Sequence, residues 1–136
     1  MNASLFNDFV TSADALRVYD GDRLLFASAK DGLHPLMEYI AGIAPHQNDI
    51  TIFDKIMGNA AALLSVRADC HRVYSPLASQ LAINTLTDYN IECHFTEIVP
   101  CIQNREGQGM CPMEELSLNK TPEQLYQLLR HLGRND

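Results

Sequence analysis

The chain has 136 residues, a length typical of one domain that buries enough surface to fold without a metal ion or a disulfide. Its hydrophobic content of 46% and charged content of 20% are ordinary for a globular protein. The net charge is −7, and the ten Lys and Arg residues are scattered along the sequence. Composition therefore argues against a nucleic-acid-binding surface, which needs clustered basic residues.

The N-terminal part of the chain predicts a lead-in helix followed by a β-hairpin. Residues 1–13 contain apolar side chains that recur at helical spacing. Two apolar runs, residues 15–19 and 23–27, then flank an Asp-Gly turn at Gly21, which is the pattern of a hairpin.

The middle of the chain predicts alternating helices and strands, with the helix inner faces marked by apolar spacing. The first predicted inner face includes Ile43 and the last includes Tyr89. Ser75 and Pro76 are predicted to open the last of these helices as its N-cap and first residue. The predicted segments are, in order, helix 34–43, strand 49–53, helix 60–64, strand 72–74, helix 76–89 and strand 91–99.

Residues 121–133 predict the C-terminal helix. Thr121 and Gln124 form a capping box around a proline, a strong start signal. A leucine stripe that reaches Leu132 gives the helix its buried face, and Gly133 ends it.

The order of these elements predicts an α/β protein. Strands that alternate with helices after a hairpin indicate a mixed sheet with parallel members and helices on both faces. We therefore expect a three-layer α/β/α architecture with a five-stranded mixed sheet and an N-terminal antiparallel hairpin, forming a single domain over residues 1–136.

The sequence also predicts a cytoplasmic location. The first residues lack the charged and apolar regions of a signal peptide, and no apolar run approaches the ~18 residues that a membrane span needs. We expect no membrane association and four reduced thiols, since the cysteines lack the spacing of a disulfide framework. Neither Cys-x-x-Cys nor His-x-x-x-His spacing is present, so we expect no metal site and no cofactor.

The loop at residues 99–118 is the most informative stretch, and we expect it to be the functional loop. It contains glycines, prolines, two cysteines and a polar centre between two well-formed elements. Cys111 is the candidate nucleophile, because a nearby cation or free amides would activate a thiol. The alternative is a small buried side chain that fills a turn. His71 or His94 would be its base only if the fold brings one of them close.

Three stretches carry a resemblance to a known family. They are Val18-Tyr-Asp-Gly-Asp22, Asp54-Lys-Ile-Met-Gly-Asn-Ala-Ala-Ala62 and Asn104-Arg-Glu-Gly-Gln-Gly-Met-Cys-Pro-Met-Glu114. On these motifs the chain resembles, from about residue 15 to residue 132, a bacterial family catalogued as domain of unknown function 1893. The succession of elements also resembles the cytidine-deaminase-like fold. The resemblance implies a fold and an uncharacterised status, and no mechanism.

The chain departs from true deaminases where the chemistry lies. In those enzymes, His and Cys residues at two helix starts bind zinc, and a Glu at the first of these starts moves the proton. The corresponding positions here read Met57-Gly-Asn-Ala-Ala61 and Ser75-Pro-Leu-Ala-Ser79, and neither carries a thiolate, an imidazole or a glutamate. We expect no zinc-dependent deamination.

A cleft is predicted where the third strand feeds its helix, because ligands in α/β folds bind at the carboxyl ends of strands. Arg105 would clamp an anion or pair with Glu106 or Glu114 to stiffen the loop. The remaining polar groups either line a pocket or serve as turn and cap residues. The candidate ligand-binding residues are Asp54, Lys55, Gly58, Asn59, Ser75, Asn104, Arg105 and Glu114.

Three hypotheses follow from the sequence. The first is a protein of deaminase-like fold that binds a small anionic or nucleotide-like ligand. The second is a thiol-dependent enzyme or redox sensor that uses Cys111 as its catalytic residue. The third is a structural or interaction protein whose loop supports a homodimer.

Overall fold

The computed structural model describes residues 2–44, 48–104 and 106–134. Within these ranges, five strands form one sheet, and six helices accompany it. The strands are β1 (Leu16–Asp20), β2 (Arg23–Ser28), β3 (Ile50–Asp54), β4 (Arg72–Ser79) and β5 (Glu92–Val99). The helices are α1 (Asn2–Thr11), α2 (His34–Gly42), α3 (Asn59–Arg67), α4 (Gln80–Asp88), α5 (Pro112–Leu116) and α6 (Pro122–Arg134).

The sheet is mixed, in the order β2-β1-β3-β4-β5. Strand β1 runs antiparallel to both β2 and β3, whereas β3, β4 and β5 are parallel. Gly21 makes the hairpin turn with a φ of +58°, a conformation that glycine adopts without strain. The predicted α/β class, with a five-stranded mixed sheet that begins with an antiparallel hairpin, is confirmed.

The two faces of the sheet are covered unequally. The main core joins one face to α2, α3, α4 and α6. On the other face α1 packs Phe6 and Phe9 against Phe53, and Tyr19 and Tyr74 complete this second cluster. Helix α1 therefore supplies the third layer over part of the sheet.

The boundary between β4 and α4 differs from the prediction. Ser75 lies inside β4 and is not a helix cap, because β5 continues to pair with β4 as far as Ser79. The N-cap of α4 is Ser79, whose hydroxyl accepts a hydrogen bond from the Ala82 N–H at 3.1 Å. Pro76 was predicted to be the first residue of the helix, but it lies within β4, where its missing N–H is tolerated beside a Ser75 side chain that bonds to the Leu77 backbone.

Three predicted inner-face residues are exposed. Ile43 follows the last residue of α2, Tyr89 is the C-cap of α4, and Leu132 lies in the last turns of α6. Their exposed fractions are 36%, 45% and 44%. Each helix leaves the core before its apolar pattern ends. Within the described residues, we find no helix with the length and apolar character to cross a membrane.

Candidate functional site

A cavity of about 540 Å³ lies at the carboxyl end of β3. Its walls come from the segment before β1, the β2–α2 loop, the start of α3, and residues 102–104 and 106–117, which we call the flap. Most wall groups are apolar, including five alanines. The polar side chains that line it are Asp14, Asp31, Asp54, Lys55, Cys111 and Glu114.

Asp54 is the last residue of β3 and lines the cavity. Desolvation by burial raises the pKa of Asp54 to about 7, against the opposing effect of the Ile56 and Lys55 N–H groups. Its Oδ1 accepts a long hydrogen bond of 3.4 Å from the Ile56 N–H. Asp54 is therefore a group that changes charge near neutral pH at the wall of the cavity.

Lys55 lines the cavity, but its ammonium group is directed toward α1. The Nζ atom donates to the carbonyl oxygens of Ser12 and Asp14, both at 2.7 Å, and lies 4.7 Å from the centre of the Phe9 ring. These contacts fix the segment between α1 and β1 against β3. Lys55 thus holds the wall of the cavity together, and two of its donors are already used.

Glu114 closes the N-terminus of α3. Only 2% of the residue is exposed, and its Oε1 accepts a hydrogen bond from the Asn59 N–H while Oε2 accepts one from the Ile102 N–H at 2.7 Å. Gly58 is required by this approach, since a methyl group there would lie 2.9 Å from Glu114 Oε1 and 3.1 Å from Ile102. The positive end of the helix therefore already holds an anion, supplied by the protein.

Asn59 is a structural residue of the same region. Its side-chain amide donates to the Ser117 hydroxyl at 2.9 Å, and its carbonyl oxygen accepts a hydrogen bond from the Thr85 hydroxyl. Ser117 in turn donates to the Glu114 carbonyl oxygen at 2.6 Å. This buried network joins α3, α4 and α5 and leaves Asn59 outside the cavity lining.

Asn104 organises the tip of the flap. Its side-chain oxygen accepts hydrogen bonds from the N–H groups of Glu106 and Gln108 at 3.1 and 3.2 Å, and its own N–H donates to the Gly109 carbonyl oxygen at 2.7 Å. Asn104 is not a cavity residue. The predicted ligand contact of Arg105 lies outside the described residues.

Cys111 lines the cavity as the N-cap residue of α5, where its thiol is half-buried. The other cysteines have different settings. Burial raises the pKa of Cys70 to about 12 and also raises the pKa of Cys93, so both thiols are held in the neutral form. Among the four cysteines, Cys111 is the one that the structure places in the cavity wall.

The two histidines considered as a base for Cys111 lie outside the cavity lining. A ring nitrogen of His71 accepts a hydrogen bond from the Ile50 N–H at 3.1 Å. Ile50 begins β3 and Asp54 ends it, so His71 lies at the opposite end of this strand from Asp54. His94 stacks on Tyr74 with ring centres 4.3 Å apart, on the face that α1 covers in part. Ser75 is fully buried in β4 and also lies away from the cavity.

The structure thus brings Asp54, Lys55, Gly58, Glu114 and Cys111 together in the cavity lining, and it leaves Asn59, Ser75 and Asn104 outside that lining. Sequence reasoning missed two cavity carboxylates, Asp14 and Asp31. Asp14 precedes β1 and Asp31 follows β2. Because β1 is antiparallel to both β2 and β3, the start of β1 and the end of β2 lie at the end of the sheet where β3 finishes. Among the residues described, no three His, Cys, Asp or Glu side chains are grouped so that they could hold a metal ion.

Comparisons with known proteins place the chain beside one family. The family model described as a domain of unknown function (DUF1893) matches residues 6–132. A crystal structure of a DUF1893 family protein from Thermotoga maritima is similar to the chain, with a TM-score of 0.83 and 25% sequence identity. The similarity covers 96% of this chain and 88% of that chain. No curated protein matches the sequence significantly.

Proposed function

The chain belongs to the DUF1893 family, a domain of unknown function, and we propose that it binds a small molecule in the cavity at the carboxyl end of β3. One observation carries the proposal: a cavity of about 540 Å³ is lined mainly by apolar groups, with a few polar side chains among them. Small-molecule sites have this size and composition. The position also suits the proposal, because ligands of α/β proteins bind at the carboxyl ends of strands.

The contacts weigh against the anionic ligand expected from the sequence. An anion would need the N-terminus of α3 or the Lys55 ammonium group. The first is occupied by Glu114 and the second donates to two carbonyl oxygens. The proposal is therefore a ligand with an apolar body that is neutral or positively charged.

A fragment screen by thermal shift, with NMR of the Ala60, Ala61 and Ile102 methyl groups, tests the proposal. Ala29 is an exposed residue at the rim, so Ala29→Trp is expected to obstruct the cavity without disturbing the core. Fragments that stabilise the wild type should lose about tenfold or more in affinity for this variant.

The matched control is Ala27→Trp, which places the same side chain at an exposed position of β2 outside the cavity lining. This variant should bind the fragments as the wild type does. Equal binding by all three proteins would place the fragments outside the cavity and contradict the proposal.

Thiol chemistry is the second candidate, because Cys111 and Asp54 line one cavity. Asp54 would then be the group that takes up or gives back a proton, since its pKa lies near 7. Iodoacetamide should alkylate Cys111 faster than it alkylates a free cysteine near neutral pH, and Asp54→Asn should remove the excess. Alkylation at the rate of a free cysteine would leave this candidate without support.

Two further parts of the proposal concern location and fold. A cytoplasmic location agrees with four free thiols, which a reducing compartment maintains. A deaminase-like fold agrees with a cavity at the carboxyl end of β3, where the resemblance implies one. The chain at the starts of α3 and α4 reads Gly58-Asn-Ala-Ala61 and Ser79-Gln-Leu-Ala82, so the corrected boundary still provides no zinc ligand there.

A further inference from the structure

The charges around the cavity are strongly asymmetric. Among the described residues, four acidic side chains and one basic side chain line it, and they belong to Asp14, Asp31, Asp54, Glu114 and Lys55. An apolar cavity with this balance repels anions and attracts cations, because the low-polarity walls strengthen the field inside.

Most of these groups already have a partner. Asp14 forms an ion pair of 2.7 Å with Arg17, and Glu114 accepts two backbone hydrogen bonds. Lys55 is directed to the carbonyl oxygens before β1. Among the described residues, the one basic side chain that lines the cavity is therefore already used to hold its wall.

Asp54 stands apart from this pattern. Among the described residues it enters no ion pair, and its partners are the backbone N–H groups of Ile56, at 3.4 Å, and of Lys55. Partial burial without a counter-ion is an unfavourable state for a carboxylate. A cation bound in the cavity would relieve it.

We propose that the cavity selects an organic cation, a protonated amine carried on an apolar body, with Asp54 as its counter-ion. This inference rests on the proposed function and adds the chemical class of the ligand. The alanine, isoleucine and methionine side chains of the wall would contact the apolar body. A metal ion fits less well, since no three suitable side chains converge among the described residues.

The proposal predicts a pH dependence of known sign. Among the described residues, the other titratable groups that line the cavity are Asp14 before β1, Lys55 after β3, Asp31 in the β2–α2 loop, and Cys111 and Glu114 in the flap. Since the Asp54 pKa is about 7, its carboxyl group gains charge as the pH rises through neutrality. Affinity for a cation should therefore rise between about pH 6 and about pH 8, whereas affinity for a neutral ligand should not.

The test compares three compounds with one apolar body, namely benzylamine, benzyl alcohol and benzoate, by NMR titration of the full chain. At about pH 8 we expect benzylamine to bind at least about fivefold more tightly than benzyl alcohol, and benzoate to bind most weakly. Asp54→Asn should abolish the preference for the amine and keep binding of the alcohol. Asp22→Asn, which changes an exposed carboxylate outside the cavity lining, should alter the preference less than about twofold.

The outcomes separate this inference from the proposed function. Equal binding of amine and alcohol, or tighter binding of benzoate, would overturn the cation inference while the cavity remained a ligand site. Binding of none of the three compounds, together with no fragment sensitive to Ala29→Trp, would overturn both. If Asp54→Asn did not fold, titrations of the wild type at about pH 6 and about pH 8 would decide the question. A preference for the amine that did not change between these pH values would contradict the cation inference.

Discussion

At the level of single residues, Glu114 determines how the flap is attached. One carboxylate accepts hydrogen bonds from two backbone N–H groups, one at the start of α3 and one in the flap itself. The residue is 2% exposed, so water cannot replace either bond. Charge-assisted hydrogen bonds of this kind are stronger than neutral ones, and a buried donor that loses its acceptor is costly.

We expect Glu114→Gln to lower the free energy of unfolding by about 1–3 kcal/mol. The amide keeps the shape of the carboxyl group but turns one acceptor into a donor, which would face an N–H group. Chemical denaturation measures the change. Glu115→Gln is the matched control, because Glu115 is exposed on the same helix and its loss should cost less than about 0.5 kcal/mol.

A second measurement connects Glu114 to its neighbour. Gly58→Ala should destabilise the wild type, because the added methyl group meets Glu114 and Ile102. In a Glu114→Ala background, much of this cost should disappear. Additive effects of the two substitutions would contradict the contact between Gly58 and Glu114.

Glu114 also shows why the site could be predicted only in part. The sequence indicated the loop, Cys111 and the residues after β3, because glycines, prolines and a strand-to-helix transition are local signals. The partners of Glu114 and Lys55 were not predictable. Asn59 lies 55 positions from Glu114, and the carbonyl oxygens that bind Lys55 lie 41 and 43 positions away from it. No local pattern records contacts over such distances.

At the level of secondary-structure elements, the start of α4 is the clearest case of a boundary set by tertiary contacts. Serine and proline at positions 75 and 76 form a good local helix start, yet pairing with β5 keeps this stretch in β4. Met57 adds a bridge on the other side, with its N–H donating to the Leu77 carbonyl oxygen at 2.8 Å. The strand therefore runs on to Ser79, and the hydroxyl there caps the helix.

We expect Ser79→Ala to lower the free energy of unfolding by about 1 kcal/mol, because the Ala82 N–H loses its side-chain acceptor. Amide hydrogen exchange of Ala82 should become faster in the same variant. Thr87→Ala is the control, since Thr87 is exposed in the last turn of α4. If the two variants were equally stable and exchanged alike, Ser79 would not be the cap.

The C-terminal helix behaved differently. Its capping box was predicted and is confirmed, with the Thr121 hydroxyl accepting the Gln124 N–H at 3.1 Å and the Gln124 side chain accepting the Thr121 N–H at 2.9 Å. Both partners lie within four residues of each other. This start signal was reliable, whereas pairing with β5 overrode the equally local start at Ser75 and Pro76. The predicted end at Gly133 is also wrong, since α6 extends to Arg134.

At the level of the whole molecule, α1 connects the far face of the sheet to the cavity. Phe9 is fully buried against Phe53, and its ring also lies beside the Lys55 ammonium group. Lys55 in turn binds the carbonyl oxygens of Ser12 and Asp14, just before the residues that form one wall of the cavity. Docking of α1 and the shape of the cavity should therefore depend on each other.

We expect Phe9→Ala to destabilise the protein by about 3–5 kcal/mol, because it removes a fully buried aromatic ring from a small cluster. Val10→Ala is the control on the same helix, where a side chain that is 39% exposed should cost much less. Fragment binding in the cavity should weaken in the first variant and persist in the second.

Thiol labelling distinguishes two ways in which Phe9→Ala could act. Cys70 is 5% exposed, and its thiol is held neutral by burial, so its alkylation reports opening of the main core. If the two clusters unfold together, Phe9→Ala should speed alkylation of Cys70 in proportion to the loss of stability. Unchanged labelling of Cys70, together with fast exchange of the α1 amides, would show that α1 unfolds independently of the main core. That result would contradict the prediction that the two clusters unfold together.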